Sequence, residues 1–100
     1  MIHASLQQLH QAIPGSELRG NVAFSGLSTD SRQIATGNCF VALRGENFDA
    51  HQFLLQVQTA GAAAMVVEHV PAGVTCPVLI VPDTKLALLA IGRFWRQQFS

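Results

Sequence analysis

Residues 40–67 read FVALRGENFDAHQFLLQVQTAGAAAMVV, and the fold is decided there. Phe40-Val41-Ala42-Leu43 is an apolar run of four bounded by turn formers, the pattern of a buried strand. From Ala50 to Ala60, Phe53, Leu54 and Val57 form an apolar stripe at helical spacing, and Gly61 stands where a helix commonly stops. Met65-Val66-Val67, entered through Ala62-Ala63-Ala64, is another short apolar run, typical of a strand covered on both faces. Strand, helix and strand within about thirty residues make a βαβ unit, which places a parallel pair at the centre of the domain.

Toward the C-terminus, Pro71 to Pro77 reads as a loop and Val78-Leu79-Ile80-Val81 as a third buried strand, stopped by Pro82. Asp83 or Thr84 caps a final helix that runs to about Gln98. Ala87, Ala90, Ile91 and Phe94 recur at helical spacing and face the sheet, with Trp95 either at the margin of that face or against something beyond the domain. Toward the N-terminus, Ser5 and Gln8 form a capping box for a short helix whose apolar face is Leu6, Leu9 and Ile13 and whose end is Pro14-Gly15. Glu17 to Gly20 reads as a brief edge strand and Val22 to Leu27 as another strand. The expectation is one α/β domain over residues 1–100: three layers, with a mixed, largely parallel sheet flanked by helices.

Nearly half of the 100 residues are apolar (49%), enough for a core that hides roughly two-thirds of the unfolded surface without staples. Six basic and six acidic residues cancel, which argues against nucleic acid, where a basic face supplies most of the affinity. No apolar run approaches the roughly 20 residues needed to span a bilayer, and Met-Ile-His-Ala-Ser lacks the basic start and apolar core of an export signal. Cys39 and Cys76 lie far apart, fit no metal spacing and read as buried free thiols, so the default location is the cytoplasm. His3 and His10 have no acidic or cysteine partner nearby and read as solvated.

Five of the twelve charged residues fall between Ser28 and His51, in two polar loops flanking the strand at Phe40. The first loop, Ser28-Thr29-Asp30-Ser31-Arg32, offers three hydroxyl side chains and a guanidinium suited to forked bonding with phosphate or carboxylate. The second leaves its strand through Arg44-Gly45 and enters a helix at Asp49, where free backbone N–H groups favour negative charge. Both are anion chemistry. The alternative is that Asp30 and Arg32 form a local ion pair while Ser and Thr merely close a turn. A catalytic reading has less behind it: the loop serines have no His nearby, and Glu46 and Asp49 read as a solvated residue and a helix cap. Neither Gly-x-Gly-x-x-Gly nor Gly-x-x-x-x-Gly-Lys-Ser/Thr occurs, so no phosphate-cradling glycine loop for ATP is present.

Ser-Thr-Asp-Ser-Arg, then Phe-Val-Ala-Leu-Arg-Gly-Glu-Asn-Phe-Asp-Ala-His, resembles the amino-terminal signature of the bacterial Mur ligases. Ala60-Gly61-Ala62 with Val66-Val67-Glu68, and Val81-Pro82-Asp83-Thr84 with Ala87-Leu88, keep the order and spacing; Asn38-Cys39, where the family often has Asp and an aliphatic residue, departs from it. The resemblance implies a UDP-substrate-binding first domain, with the ATP- and magnesium-using central domain and the C-terminal domain as partners outside this chain. Within the family it is nearest to members that add D-alanyl-D-alanine to UDP-N-acetylmuramoyl-tripeptide. The ligase of the preceding step and a non-catalytic docking domain stand as alternatives. The family pattern places substrate contacts on Thr29, Asp30, Ser31 and Arg32, and on Arg44, Gly45, Asn47, Phe48 and His51 of the second loop. No catalytic or metal-binding residue is implied within the chain. Residue chemistry agrees for Ser31 and for Arg32 or Arg44 as diphosphate partners. Asn47 suits a uracil edge. Phe48 either packs on the uracil face or anchors its loop in the core, Asp30 and Asp49 organise the loops, and His51 either meets a phosphate or starts the helix.

Overall fold

The computed structural model describes residues 3–99, the side chains of 98 and 99 excepted. A five-stranded sheet has the order β2 (Glu17–Arg19), β7 (Val78–Ile80), β6 (Ala64–Val67), β5 (Cys39–Val41), β4 (Leu27–Ser28). All neighbours are parallel except β2 and β7, so the sheet is mixed and largely parallel, as expected. Charged Glu17 and Arg19 lie on the β2 edge and pair with each other, which discourages a further strand from adding there.

Alternation along the central strands builds two cores. Cys39, Val41, Ala64, Val66 and Leu79 face α1 (Leu6–Ala12) and α3 (Thr84–Phe99). Phe40, Met65, Val67 and Val78 face the opposite way, against Leu54 and Val57 of α2 (Leu54–Thr59). A strand between two helical layers has no wet face, which is why β5 and β6 are apolar throughout. Burial pushes the Cys39 thiol up to about 12, so it is inert packing; Cys76 is a half-buried free thiol.

Helix limits follow their caps. Ser5 and Gln8 form the capping box in both directions. The Asp83 carboxylate accepts from the amides of Lys85 and Leu86 and is the cap of α3. Ala87 and Ile91 are buried against the sheet, while Ala90, Phe94 and Trp95 are half-buried beside them. Gly61 ends α2 with φ of 111°, a left-handed value that disfavours side chains.

Three expectations need correction. Val22 to Leu27 is not one strand: Gly26, at φ of 84°, divides β3 (Ala23–Ser25) from β4. β3 instead pairs antiparallel with β1 (His3–Ser5), which periodicity did not reveal because three residues carry too little pattern. The helix expected from Ala50 begins as a 3-10 turn, Ala50–Phe53, before becoming α2. His10 is half-buried rather than solvated, its Nδ1 2.8 Å from the Ser16 hydroxyl. No helix of the described residues is long and apolar enough to cross a membrane.

Candidate functional site

Parallel strands β4, β5 and β6 end on the same side of the sheet. The first loop follows β4, the second follows β5, and Glu68 follows β6, so three connections meet at the carboxyl ends of the strands, where open α/β sheets place ligands. Thr29, Asp30, Ser31 and Arg32 line one depression of about 500 Å³ together with Phe48, Phe53 and Gln56. The two loops therefore converge. Arg44 and Gly45 lie elsewhere: they line a second depression of about 350 Å³ with Glu68, Thr84 and Lys85. Gly45 and Asn47 also line a third, which shares Phe48 and Phe53 with the first.

The first loop is closed by its own residues. The Ser28 hydroxyl donates to carbonyls of the turn and accepts from the Asp30 amide. The Asp30 carboxylate accepts from the Arg32 amide at 2.9 Å and from two nitrogens of its guanidinium at 3.2 and 3.3 Å. That local ion pair is real, but Arg32 remains 83% exposed with donors left over. The guanidinium, then the Arg32 amide, holds the Asp30 carboxyl below the usual range. Among the described residues no hydrogen bond engages the hydroxyls of Thr29 or Ser31.

The entry to that loop is fixed by Asn38. Its Nδ2 donates to the Ser25 carbonyl and its Oδ1 accepts from the Ala35 amide. Asp at this position has no N–H to donate, so the departure noted at Asn38-Cys39 has a physical role here.

The second loop folds back on itself: the Gly45 amide donates to the Phe48 carbonyl, the backbones of Arg44 and Asp49 pair antiparallel, and Glu46-Asn47 forms the exposed tip. Phe48 is 52% exposed, so it is not a core anchor; its ring lies 6.1 Å from that of Phe53, nearly parallel. The Asp49 carboxylate caps the 3-10 turn through the His51 amide, and that bond leads in holding its pKa down.

His51 is only 4% exposed and is bonded on both sides. The Glu68 amide donates to its Nε2 at 2.9 Å, and its Nδ1 lies 2.7 Å from Asp49. An amide can only donate, so Nε2 carries no proton and the ring's single N–H points at Asp49. His69 stacks on the same ring at 4.4 Å. His51 thus starts the helix and anchors the loop, and its described partners are Asp49 and Glu68 rather than a serine of the first loop.

Glu68 escaped the sequence reading as a site residue. One carboxylate oxygen accepts from Arg44 Nε, the other from the Thr84 amide and hydroxyl at 3.0 and 3.2 Å. Burial raises its pKa, but the Thr84 amide and the Arg44 guanidinium outweigh this and the net shift is downward. The available signal was a lone carboxylate at the end of an otherwise apolar strand. Among the described residues no group of three or more His, Cys, Asp or Glu is gathered to hold a metal ion.

No protein-family model matches the chain. Individual proteins do. The UDP-N-acetylmuramoyl-tripeptide–D-alanyl-D-alanine ligase of Escherichia coli K12 is 39% identical over 98% of this chain, and that of Haemophilus influenzae is 36% identical over all of it. A UDP-N-acetylmuramoyl-L-alanyl-D-glutamate–2,6-diaminopimelate ligase from Geobacillus thermodenitrificans is 36% identical over 83%. Crystal structures of MurF from Acinetobacter baumannii superpose with a TM-score of 0.83 at 36% identity, covering 98% of the chain. The chain spans 22% of the length of the first two relatives and of the Acinetobacter structures. With the fold and these identities together, the chain belongs to the Mur ligase family, as an N-terminal domain.

Proposed function

We propose that this domain holds the UDP end of UDP-N-acetylmuramoyl-tripeptide for a ligase that adds D-alanyl-D-alanine in cytoplasmic peptidoglycan precursor synthesis. The observation that carries the reading is the single depression built by Thr29–Arg32 and Phe48 at the carboxyl ends of the parallel strands. Ser31 offers its hydroxyl and Arg32 its outward nitrogens to the diphosphate, with the Thr29 hydroxyl beside them. The Phe48–Phe53 pair is an aromatic wall against which uracil packs, and Asn47 offers an amide to its edge. Arg44 presents a second cation from the neighbouring depression. Asp30, Asp49 and His51 shape the loops.

In this reading the domain supplies positioning, the entropic share of catalysis, and no bond-making group. ATP and magnesium belong to the remaining two domains of the ligase, since this chain has no phosphate-cradling glycine loop. The D-alanyl-D-alanine step is preferred over diaminopimelate addition because two relatives of the former kind match over 98% and 100% of the chain, while the diaminopimelate ligases match over 63% to 83%.

Titrating the chain with UDP-N-acetylmuramoyl-tripeptide, followed by backbone amide shifts, tests this. Shifts are expected in residues 28–32 and 44–51 and are lost in Ser31→Ala and Arg32→Ala. Shifts confined to other surfaces, or none at millimolar ligand, would return the domain to a docking role.

A further inference from the structure

Glu68 lies outside the loops that carry the nucleotide reading, yet it is tied to the second of them twice. Its carboxylate holds Arg44 by Nε, the nitrogen nearest the chain; the side chain is 57% exposed, and among the described residues no hydrogen bond engages its two terminal nitrogens. Those terminal nitrogens form the fork that grips phosphate. Its backbone amide holds His51, whose other nitrogen holds Asp49, so the base of the Gly45–Phe48 turn is fixed by the same residue. Glu68 is fixed in turn by Thr84, buried at the start of α3.

A lone arginine on a loop samples many rotamers and loses that freedom on binding; one already bonded through Nε has lost much of it beforehand. The arrangement joins the ends of β5 and β6 to the start of α3 through one side chain. We infer that Glu68 is a positioning residue of the nucleotide site, aiming the Arg44 fork at the ligand's diphosphate. The inference rests on the UDP-binding reading above and adds to it a residue that never touches the ligand.

Charge alone predicts the opposite result. Glu68 is an anion beside an anion's site, so if it did nothing but neutralise Arg44, its removal would tighten binding. The test is a binding titration of UDP-N-acetylmuramoyl-tripeptide against the full chain at several salt concentrations. The wild-type chain comes first: if it fails to bind, the UDP reading falls whatever Glu68 does. If it binds, Glu68→Gln, whose one acceptor oxygen cannot serve both Arg44 Nε and the Thr84 amide, should raise Kd about tenfold and flatten the salt dependence, as expected when one charge-assisted phosphate contact is lost. Arg44→Lys keeps the charge and leaves Glu68 bonded to Thr84, but has no Nε to be held; it should weaken binding by a similar factor. The double variant Arg44→Ala with Glu68→Gln should bind no more weakly than Arg44→Ala alone. Tighter binding by a folded Glu68→Gln chain, unchanged binding by Arg44→Lys, or additive losses in the double variant would each overturn the inference.

Discussion

The two loops at the carboxyl ends of β4 and β5 meet at one depression, the second through Phe48, but are held in different ways. Residues 28–33 close on themselves: every side-chain bond of Ser28, Asp30 and Arg32 reaches no more than five residues along the chain. Residues 44–51 are held from a distance, with bonds from Arg44 and from His51 to Glu68, 24 and 17 residues on. Local closure gives a turn that keeps its shape while its charges stay in water. Distant anchoring gives a loop whose shape depends on buried polar groups all being satisfied, which is a stronger constraint and a more fragile one.

The largest effect should come from cutting the buried anchor. His51→Ala leaves the Glu68 amide without its acceptor, removes a partner of Asp49 and opens a void under the loop. A cost of about 3 kcal/mol is expected, read from denaturant unfolding. Amide shifts should spread through residues 44–51 and leave 28–33 in place. If both loops move together, they are one unit and not two separately held loops.

That contrast also explains what could be read from residues alone. The Ser-Thr-Asp-Ser-Arg turn, the capping box at Ser5, the Asp49 cap and the buried strands are local patterns, and they stand in the structure as read. The roles of His51 and Glu68 depend on β5 and β6 lying side by side, which no spacing within either loop encodes. A single aromatic in a polar loop carries no period, so Phe48 reads equally as a uracil contact or a core anchor; its exposure removes the core anchor. The β3–β4 break is illegible in the sequence for a related reason. Gly26 looks like an ordinary strand glycine until Asn38 is seen against it.

Next in size is that break. A Cβ on Gly26 would sit 2.7 Å from Asn38 Nδ2, on a backbone already at φ of 84°. Gly26→Ala should cost about 1–2 kcal/mol in unfolding free energy and disturb the first loop, which β4 feeds. The perturbation should stay on that side. Should residues 44–51 shift as strongly, the first loop is less self-contained than its bonds suggest.

A smaller effect is expected from acid. Asp49 and Glu68 both titrate lower in the folded chain than their ordinary values of 3.8 and 4.5. The unfolded chain therefore binds protons first as pH falls. Their contribution is whole above the unfolded values and is lost as pH drops through the folded ones. Between about pH 5 and about pH 3, unfolding free energy should fall, and Glu68→Gln should flatten that slope. A slope unchanged by the substitution would mean that the carboxylate is not the acid-sensitive anchor.

The smallest change tests the pairing of Asp30 with Arg32 against that of Glu68 with Arg44. Asn at position 30 keeps an oxygen to accept the Arg32 amide, so the turn survives, but it drops the charge that draws the guanidinium back toward its own loop. An exposed pair of this kind contributes little to stability, so unfolding should hardly change. Affinity for UDP-N-acetylmuramoyl-tripeptide should instead rise by about threefold, because an anion has been removed from the depression and Arg32 is released toward it. Asp30→Asn and Glu68→Gln each delete one carboxylate bonded to one arginine, yet they are expected to move Kd in opposite directions. The sign depends on what the carboxylate holds. Asp30 takes Nε and one of the two terminal nitrogens of its arginine, whereas Glu68 takes Nε alone and leaves both terminal nitrogens for the ligand.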